Sequence, residues 1–361
     1  MELQDYLRTK GLDSLQHEFK IKINRHQEFN NLVCLKYSQL ESPLEQKIVQ
    51  QCRGIILDDA NNWEVVSYPY DKFFNYGESS AAIIDWSSAT VYEKLDGSLM
   101  TLYFYRGEWR VQSSGTADAT GKVHTTKKTF KQLFWQVWQQ LGYQLPSETE
   151  CCFMFELMTP YNRVVVRQLD NKLVLHGVRN LSTFQENNLD YWHNKYNWEI
   201  VKTYPFNDLK AIIQATEILD PMEGEGYIVC DRNFNRIKVK STDYVAISHE
   251  RSSLTTRKIL KIVIDNEAAE FLNYFPEYTK LYQQILEKYE SLVAEIENAY
   301  GKYQAISVQK DFALAIKDLP YSGILFALRA KKVSSVKESL QNTSFPKLES
   351  LLGIDYLDFS I

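Results

Sequence analysis

The sequence has few of the features that mark secreted, membrane-spanning or disulfide-rich proteins. Its 5 cysteines are an odd number and have no C-x-x-C spacing, which favours free thiols in a reducing compartment over disulfides or a zinc site. The segment MELQDYLRTKGLDSLQHEFK mixes charges with apolar residues at helical spacing, a pattern that differs from a signal peptide. No apolar run approaches the roughly 18 residues that a membrane span needs. We therefore expect a soluble cytoplasmic protein with no membrane partner.

An excess of positive charge is also missing. The 41 lysines and arginines are outnumbered by 46 acidic residues, for a formal net charge of -5. A nucleic-acid partner would therefore have to be held by a local basic patch and not by the whole surface. Only 14 glycines and 9 prolines occur in 361 residues of which 44% are hydrophobic, so a disordered or collagen-like chain is excluded. The length is sufficient for two domains that each bury a core.

The apolar pattern divides the chain near residue 248. From about residue 30 to 245 it predicts mostly short strands, interrupted by a helix in TTKKTFKQLFWQVWQQLGY. The predicted strands are RGIILD, WEVVSYP, TVYEK, SLMTLYFY, EWRVQSS, ECCFMFELM, RVVVRQL, KLVLHGVRN, GYIVCDRN and NRIKVKS. Strands that follow one another without alternating helices favour an α+β domain of antiparallel sheets. Beyond residue 248, apolar residues at three- and four-residue spacing predict helices. We expect domains at residues 1–248 and 249–361, the second all-α.

The first candidate for chemistry is Lys94 in the segment VYEKLDGSLM. It stands two residues before Asp96 and Gly97, a pair typical of tight turns. From this segment alone, a solvated lysine at the rim of a hairpin is the favoured interpretation. The alternative, a nucleophilic lysine, requires support from other parts of the chain.

Two lysines and two carboxylates supply candidates for that support. Lys238 and Lys240, in RIKVKS, lie two residues apart and share one face of a strand. They would repel each other unless an anion such as a phosphate lies between them, although lysines also protect exposed edge strands. Glu225 lies beside two glycines in MEGEGYIV, and Glu156 lies between apolar residues in FMFELM. A carboxylate is costly to bury there without a cation or a hydrogen bond.

Together these residues predict a site for phosphate chemistry. A lysine must lose its proton before it can attack, and neighbouring cations favour the neutral amine. The same cations stabilise charge that develops on a phosphorus centre. Glu156 and Glu225 are candidate ligands for a divalent cation, for which oxygen ligands and phosphates make magnesium the natural choice. Glycines such as Gly97 allow the backbone to approach a ligand closely.

The segments around these residues resemble a known group of enzymes. The sequence Lys94-x-Asp96-Gly97-Ser98 is similar to the first motif of covalent nucleotidyltransferases, the superfamily of ATP-dependent ligases and mRNA capping enzymes. Over roughly residues 50–250, five further segments resemble T4 RNA ligase 1-type enzymes in order and spacing: CRGIILDD, YPYDKFFNYGE, FMFELMTPYNRVVV, EGYIV and RIKVKSTDYVAISH. The resemblance implies an ATP-grasp-like nucleotidyltransferase domain with flanking helices. It also implies an ATP-dependent RNA ligase that acts as a monomer.

The resemblance implies a role for the nucleophile and the nucleotide contacts. Lys94 would attack the α-phosphate of ATP, release pyrophosphate and carry AMP through a phosphoramidate. Arg53 and Lys72 would contact the nucleotide, with Phe74 near the base. Glu156 would bind the ribose or help to order the metal.

The remaining implied roles concern the later steps and the RNA. Glu225 would serve the steps that depend on Mg²⁺ or Mn²⁺, and Lys238 and Lys240 would hold the phosphates. AMP would pass to the 5′-phosphate of an RNA, and a 3′-hydroxyl would displace it. The helical domain would recognise RNA, with a nicked tRNA as one candidate and LRAKKVSSVK as a basic patch.

Other interpretations remain beside this one. A DNA ligase or capping enzyme usually adds an OB-fold after the core, which the helical pattern disfavours. A non-catalytic nucleotide- or RNA-binding module would not need the nucleophile. Relatives of this type have a lysine where Ser114 stands in VQSSGTAD, so one phosphate or RNA contact is expected to be lost. We interpret His176, in LVLHGVRN, as a structural strand residue.

Overall fold

The computed structural model describes residues 1–123, 126–252, 256–265, 272 and 275–354. The chain forms two compact units, Met1–Ser248 and His249–Ile361. The first unit contains β-sheets with flanking helices, whereas the described part of the second contains helices and no strand. The predicted α+β class is therefore confirmed.

Thirteen strands occur in the described residues, all of them in the first unit. They are β1 (Lys22–Arg25), β2 (Leu32–Lys36), β3 (Arg53–Asp58), β4 (Glu64–Ser67), β5 (Phe74–Asn75), β6 (Thr90–Glu93), β7 (Ser98–Tyr105), β8 (Glu108–Ser113), β9 (Cys151–Met158), β10 (Lys172–Asn180), β11 (Thr203–Tyr204), β12 (Gly226–Cys230) and β13 (Arg236–Lys240).

The helices of the described ranges are concentrated after the last strand. They are α1 (Glu2–Phe19), α2 (Lys47–Gln51), α3 (Phe130–Gln140), α4 (Leu189–Tyr196), α5 (Leu209–Glu217), α6 (Thr242–Ser252), α7 (Thr256–Asp265), α8 (Thr279–Tyr303), α9 (Gln309–Ile316), α10 (Ser322–Arg329), α11 (Val336–Gln341) and α12 (Phe345–Leu352), with a 3₁₀ turn at Pro276–Tyr278. None of these helices has the length and apolarity that a membrane crossing requires.

The strands form three sheets. The first sheet has the order β1-β2-β3-β4, the second β10-β9-β7-β8, and the third β11-β6-β12-β13-β5. Every pairing is antiparallel except the one between β13 and β5. The predominance of antiparallel pairs agrees with the prediction from the order of the strands.

The second sheet is the middle layer of this unit because both of its faces are covered. On β9, Phe153 and Phe155 pack with tryptophans of α3 and α4. The alternating residues Cys152 and Met154 point the other way and pack against the first sheet. The third sheet has its own core with α5. Successive residues of β9 are therefore buried on opposite faces, as expected for a strand inside a layered domain.

The helix predicted between residues 125 and 143 is α3. It begins after Thr129, whose hydroxyl accepts a hydrogen bond from the backbone N–H of Gln132, while the Gln132 side chain accepts from the N–H of Thr129. This reciprocal arrangement is a capping box. The chain leaves the helix through Gly142, which has a positive φ of 67° and so ends it without the cost that a side chain would add.

Two local predictions are wrong. The segment RVVVRQL (163–169) is a loop and not a strand, because the N–H groups of Val165 and Val166 donate to the carboxylate of Asp96 and not to a neighbouring strand. The turn at Asp96-Gly97 is also not a hairpin. It carries the chain from β6 in the third sheet to β7 in the second, so Lys94 lies on a crossover between two sheets.

The second unit is built around α8. The buried residues of this helix recur at helical spacing: Tyr282, Ile285, Tyr289, Leu292, Val293 and Ile296. They form a continuous apolar face of the kind that packs other helices. The predicted helical character is confirmed for the described part. The rest of that prediction, at residues 253–255, 266–271, 273–274 and 355–361, lies outside the described residues.

Candidate functional site

A cavity of about 190 Å³ lies within the first unit and receives side chains from all three sheets. Its lining residues are Arg53, Tyr70, Phe73, Tyr92, Glu93, Lys94, Leu95, Leu99, Glu156, His176, Val201, Ile228, Arg236, Lys238 and Lys240. Five of them are lysine or arginine and only two are acidic, so the cavity favours an anionic ligand. Aromatic and aliphatic side chains form the rest of its wall, which suits a ligand that also has an apolar, planar part.

Lys94 is held at this cavity by two contacts with the Glu225–Gly226 segment. Its backbone N–H donates to the carbonyl oxygen of Gly226 at 2.9 Å. Its Nζ lies 2.7 Å from Oε2 of Glu225, and the second oxygen of that carboxylate, Oε1, lies 2.8 Å from Nζ of Lys240. Glu225 is only 4% exposed. A buried carboxylate that pairs with two ammonium groups fixes both of them in position.

The two glycines of the crossover and of β12 are required by close packing. A Cβ added to Gly97 would lie 2.4 Å from the carbonyl oxygen of Leu157 on β9. A Cβ at Gly226, which has a φ of +138°, would lie 2.2 Å from the carbonyl oxygen of Val239. Gly97 does not line the cavity. The close approach of the strand after Lys94 to β9 therefore accounts for a glycine at this position, and the ligand contact suggested by the sequence stays a prediction.

The predicted face of β13 is present. Ile237 and Val239 are buried in the core of the third sheet, and Lys238 and Lys240 line the cavity. Burial, together with the nearby cations of which Arg53 and Lys94 are the largest contributors, lowers the pKa of Lys238 to about 7. An anion bound in this cavity would relieve that repulsion.

Arg53 faces the same cavity from the first sheet. Its guanidinium lies 4.9 Å from the centre of the Phe73 ring, and its buried Nη1 atom has no hydrogen-bond partner. A buried guanidinium nitrogen without a partner is costly in a protein interior. An anionic ligand at this place would satisfy it.

Glu156 and His176 form another part of the cavity wall. Oε2 of Glu156 lies 3.5 Å from Nε2 of His176, and the other ring nitrogen, Nδ1, lies 3.0 Å from the hydroxyl of Tyr70. The pairing of β9 with β10 shifts register between Leu175 and Gly177, so His176 is the extra residue of a bulge. Such bulges turn a side chain towards a site. The histidine interpreted as structural from the sequence is therefore part of the cavity wall.

Lys72 and Phe74 lie outside this cavity. They line a second cavity of about 370 Å³ that shares Tyr70, Phe73 and Arg236 with the first. The Nζ atom of Lys72 lies 4.6 Å from the centre of the Phe74 ring, and both residues are less than 9% exposed. Of the two adjacent phenylalanines, it is Phe73 that lines the first cavity.

Besides His176, the sequence analysis missed nine residues of the cavity wall, among them Tyr70, Phe73, Tyr92 and Arg236. A signal for Arg236 was present, because it precedes Lys238 by two residues and therefore shares its face of β13. Arg236 also contacts Glu186, with Nη1 2.8 Å from Oε1. The aromatic residues gave no comparable signal. The run YPYDKFFNY contains five aromatic rings, and their spacing does not show which of them line a cavity and which pack in the core.

The predicted metal ligands do not form a metal cage by themselves. Within the described residues, no group of three or more His, Cys, Asp or Glu side chains is arranged to hold a metal ion. Both oxygens of Glu225 are engaged by lysines, and Glu156 faces His176. Glu156 and Glu225 therefore fit magnesium only in the way that proteins usually bind it, with one or two carboxylates acting together with the phosphates of a substrate.

The comparison with protein families identifies the chain. Residues 51–244 match the RNA ligase family of T4 RNA ligase 1 type. The match covers more than half of the chain and includes every residue of the site described above. The protein therefore belongs to this family of RNA ligases.

Two relatives from viruses agree with this assignment. A protein of Autographa californica nuclear polyhedrosis virus, which has the provisional name bifunctional polynucleotide kinase/RNA ligase, is 26% identical over 379 residues. The match covers 96% of this chain but only 52% of that protein, so the chain spans about half the length of this relative. An RNA ligase of Rhodothermus phage RM378 is 24% identical over 358 residues, covering 76% of this chain and 80% of the relative.

Solved structures show more distant likenesses. The match to an archaeal ATP-dependent RNA ligase covers 90% of this chain and 90% of that one, with 12% identity and a TM-score of 0.45. A Naegleria gruberi RNA ligase variant with ATP and Mn covers 45% of this chain and 52% of that one, with 14% identity and a TM-score of 0.32. At these TM-scores the two likenesses contribute nothing to the identification.

Proposed function

We propose that the protein is an ATP-dependent RNA ligase that acts through a covalent Lys94–AMP intermediate. The amine of Lys94 would attack the α-phosphorus of ATP, form a P–N bond and break the bond to pyrophosphate, which leaves. The AMP would then pass to the 5′-phosphate of an RNA, and a 3′-hydroxyl would displace it to form the phosphodiester. The observation that carries this proposal is the buried bridge in which Glu225 holds Lys94 and Lys240 at one cationic cavity.

Most of the charged residues in and beside the cavity would have a role in this reaction. Lys238, Lys240 and Arg53 would hold the phosphates and offset the negative charge that grows during transfer. Glu225 is placed to take the proton that Lys94 must lose, since its Oε2 is 2.7 Å from Nζ. Lys72 would act from the adjoining cavity on the distal end of the nucleotide.

The walls of the cavity suit the rest of the nucleotide. Phe73 would pack near the base, a role for which Phe74 is less suited because it is buried in the adjoining cavity. Glu156 would accept hydrogen bonds from ribose hydroxyls. Mg²⁺ or Mn²⁺ would be held by phosphate oxygens with help from Glu156 or Glu225, and it would neutralise charge on the pyrophosphate that leaves.

The second unit would recognise the RNA. Its exposed lysines Lys331 and Lys332 follow α10 and are a candidate contact for phosphates. Broken RNA is the substrate class that this chemistry serves, and a nicked tRNA is one candidate. Ligation of a cleaved anticodon stem-loop, compared with a linear RNA of equal length, tests that preference.

The experiment that tests the proposed activity uses ATP labelled at the α-phosphate. Wild-type protein should retain the label with Mg²⁺, and Lys94→Ala should not. Lys10→Ala, which removes an exposed lysine of α1, is the matched control and should retain the label. An unlabelled wild type would contradict the enzyme proposal, and a labelled Lys94→Ala would contradict the residue assignment. Sealing of DNA ends in preference to RNA ends would favour the DNA ligase alternative.

A further inference from the structure

Three cations stand side by side across the first sheet. Lys22 on β1 is the Cα partner of Lys36 on β2, and Lys36 is the Cα partner of Arg53 on β3. Directly opposed residues of antiparallel strands share one face of the sheet. Since neighbouring strands lie about 4.8 Å apart, the three backbone positions span about 10 Å. We refer to Lys22, Lys36 and Arg53 as the cationic row.

A β-bulge at Gly54 brings Arg53 into this row. Leu35 pairs with Ile55, but the next residue, Lys36, pairs with Arg53, so Gly54 is the extra residue. Gly54 has a φ of +88°, and a Cβ there would lie 3.1 Å from the carbonyl oxygen of Ser114. Without the bulge, Arg53 would share the face of Ile55, which is in the core beneath α1 and α2. The bulge therefore turns a core-facing position into a cationic one.

Within the part of the chain that the structure describes, the charges of the row are not neutralised by carboxylates. Among the described residues, no carboxylate forms an ion pair with Lys22, Lys36 or Arg53. Lys36 donates from Nζ to the hydroxyl of Ser114 at 3.0 Å. Burial, then the charges of Arg53 and Lys22, lower the pKa of Lys36. Like charges directly opposite one another destabilise a sheet, so this arrangement calls for a bound anion.

The row leads from the surface to the cavity of Lys94. Lys22 is exposed, Lys36 is partly buried, and Arg53 lines the cavity and has an unpartnered buried nitrogen. We propose that the cationic row binds the phosphodiester backbone of a single-stranded RNA and guides its end to the cavity. Three cations whose backbone positions span about 10 Å match the repeated phosphates of one strand. This proposal rests on the proposed ligase function and assigns the path of its substrate.

The salt dependence of RNA binding tests the row. The probe is a fluorescent 5′-phosphorylated oligoadenylate of about 12 nucleotides, without ATP. Each phosphate contact contributes about 0.7 to the slope of log K against log salt concentration for single strands. Lys22→Ala and Lys36→Met should each lower the magnitude of the slope by about 0.7 and the double variant by about 1.4. Lys36→Arg, which keeps the charge, should restore it, and Lys10→Ala should leave it unchanged.

Two results would overturn the proposal. One is a slope that stays at the wild-type value in the double variant. The other is a rise in the ATP concentration needed for half-maximal labelling while the RNA slope stays constant, which would assign the row to the triphosphate. The RNA measurement is made without ATP, so it can show RNA binding by the cationic row even if the protein never becomes labelled. An error in the RNA-binding proposal can therefore be distinguished from an error in the ligase proposal. If Lys36→Met does not fold, Lys22→Ala still decides: an unchanged slope in that variant would overturn the proposal.

Discussion

Lys94 and Glu225 form an ion pair in which Nζ and Oε2 are 2.7 Å apart, and the carboxylate is almost fully buried. The same carboxylate binds Lys240 through its other oxygen. Removing one charge from a buried group of this kind leaves the others uncompensated. The position of Lys94, the proposed nucleophile, therefore depends on Glu225.

We expect Glu225→Gln to fold but to become labelled from ATP about a hundredfold more slowly, the size of effect typical of a lost proton acceptor. The amide keeps the shape of the carboxylate but cannot accept a proton from Lys94 and has no negative charge to pair with the two ammonium groups. Single-turnover labelling with α-labelled ATP measures the rate. Glu223→Gln, an exposed change two residues away, is the control. A wild-type rate in Glu225→Gln would show that the bridge is not part of the chemistry.

The pKa of Lys238 near 7 predicts a pH dependence of ATP binding. Below pH 7 the side chain is already cationic and ready to hold a phosphate. Above pH 7 it must take up a proton when ATP binds, so the affinity should fall by up to about tenfold per pH unit. Lys238→Arg keeps its charge at all these pH values and should give a flatter profile. Titration calorimetry in two buffers of different ionisation enthalpy measures the proton uptake directly. Equal uptake by wild type and Lys238→Arg at pH 8 would contradict this assignment.

The two adjacent phenylalanines should respond differently to truncation. Phe73→Ala removes a ring from the cavity wall and should weaken ATP binding with a small effect on stability. Phe74→Ala removes a buried ring from β5 and should lower the free energy of unfolding by about 3 kcal/mol or more. Nucleotide titrations and thermal melts of both variants make the comparison. If Phe74→Ala weakened ATP binding and Phe73→Ala did not, the contact with the base would be assigned to Phe74.

Gly97→Ala should impair both folding and labelling. Its methyl group would lie 2.4 Å from the Leu157 carbonyl oxygen, so either β9 or the crossover after Lys94 must shift. Overpacking of this kind costs about 2 kcal/mol. The control is Gly121→Ala, where the nearest atom to the added Cβ is 3.7 Å away. Melting temperatures and labelling rates equal to those of the control would show that the close approach is not required.

Helix α3, most of the strands and the face of β13 could be predicted because they depend on local patterns. Alternation in RIKVKS placed Lys238 and Lys240 on one side, and the spacing in TTKKTFKQLFWQVWQQLGY identified α3. Both predictions use only residues that are close together in the sequence, since the spacing of apolar residues differs between strands and helices.

The features that could not be predicted from the sequence depend on contacts between distant segments. RVVVRQL has the composition of a strand, but its backbone is used to satisfy the carboxylate of Asp96, about seventy residues earlier. The bulges that turn Arg53 and His176 towards the cavity arise from register shifts against a partner strand. The sequence of one strand does not show how that strand is aligned with its partner. The directions of the Arg53 and His176 side chains therefore could not be predicted from the sequence alone.

The most direct test of the account is the location of the AMP. Wild-type protein would be incubated with ATP and magnesium, digested at neutral pH to preserve the phosphoramidate, and analysed by mass spectrometry. We expect a single AMP on the peptide that contains Lys94, with the fragment ions placing it on that side chain. AMP on any other residue, or none on a folded protein, would contradict the account.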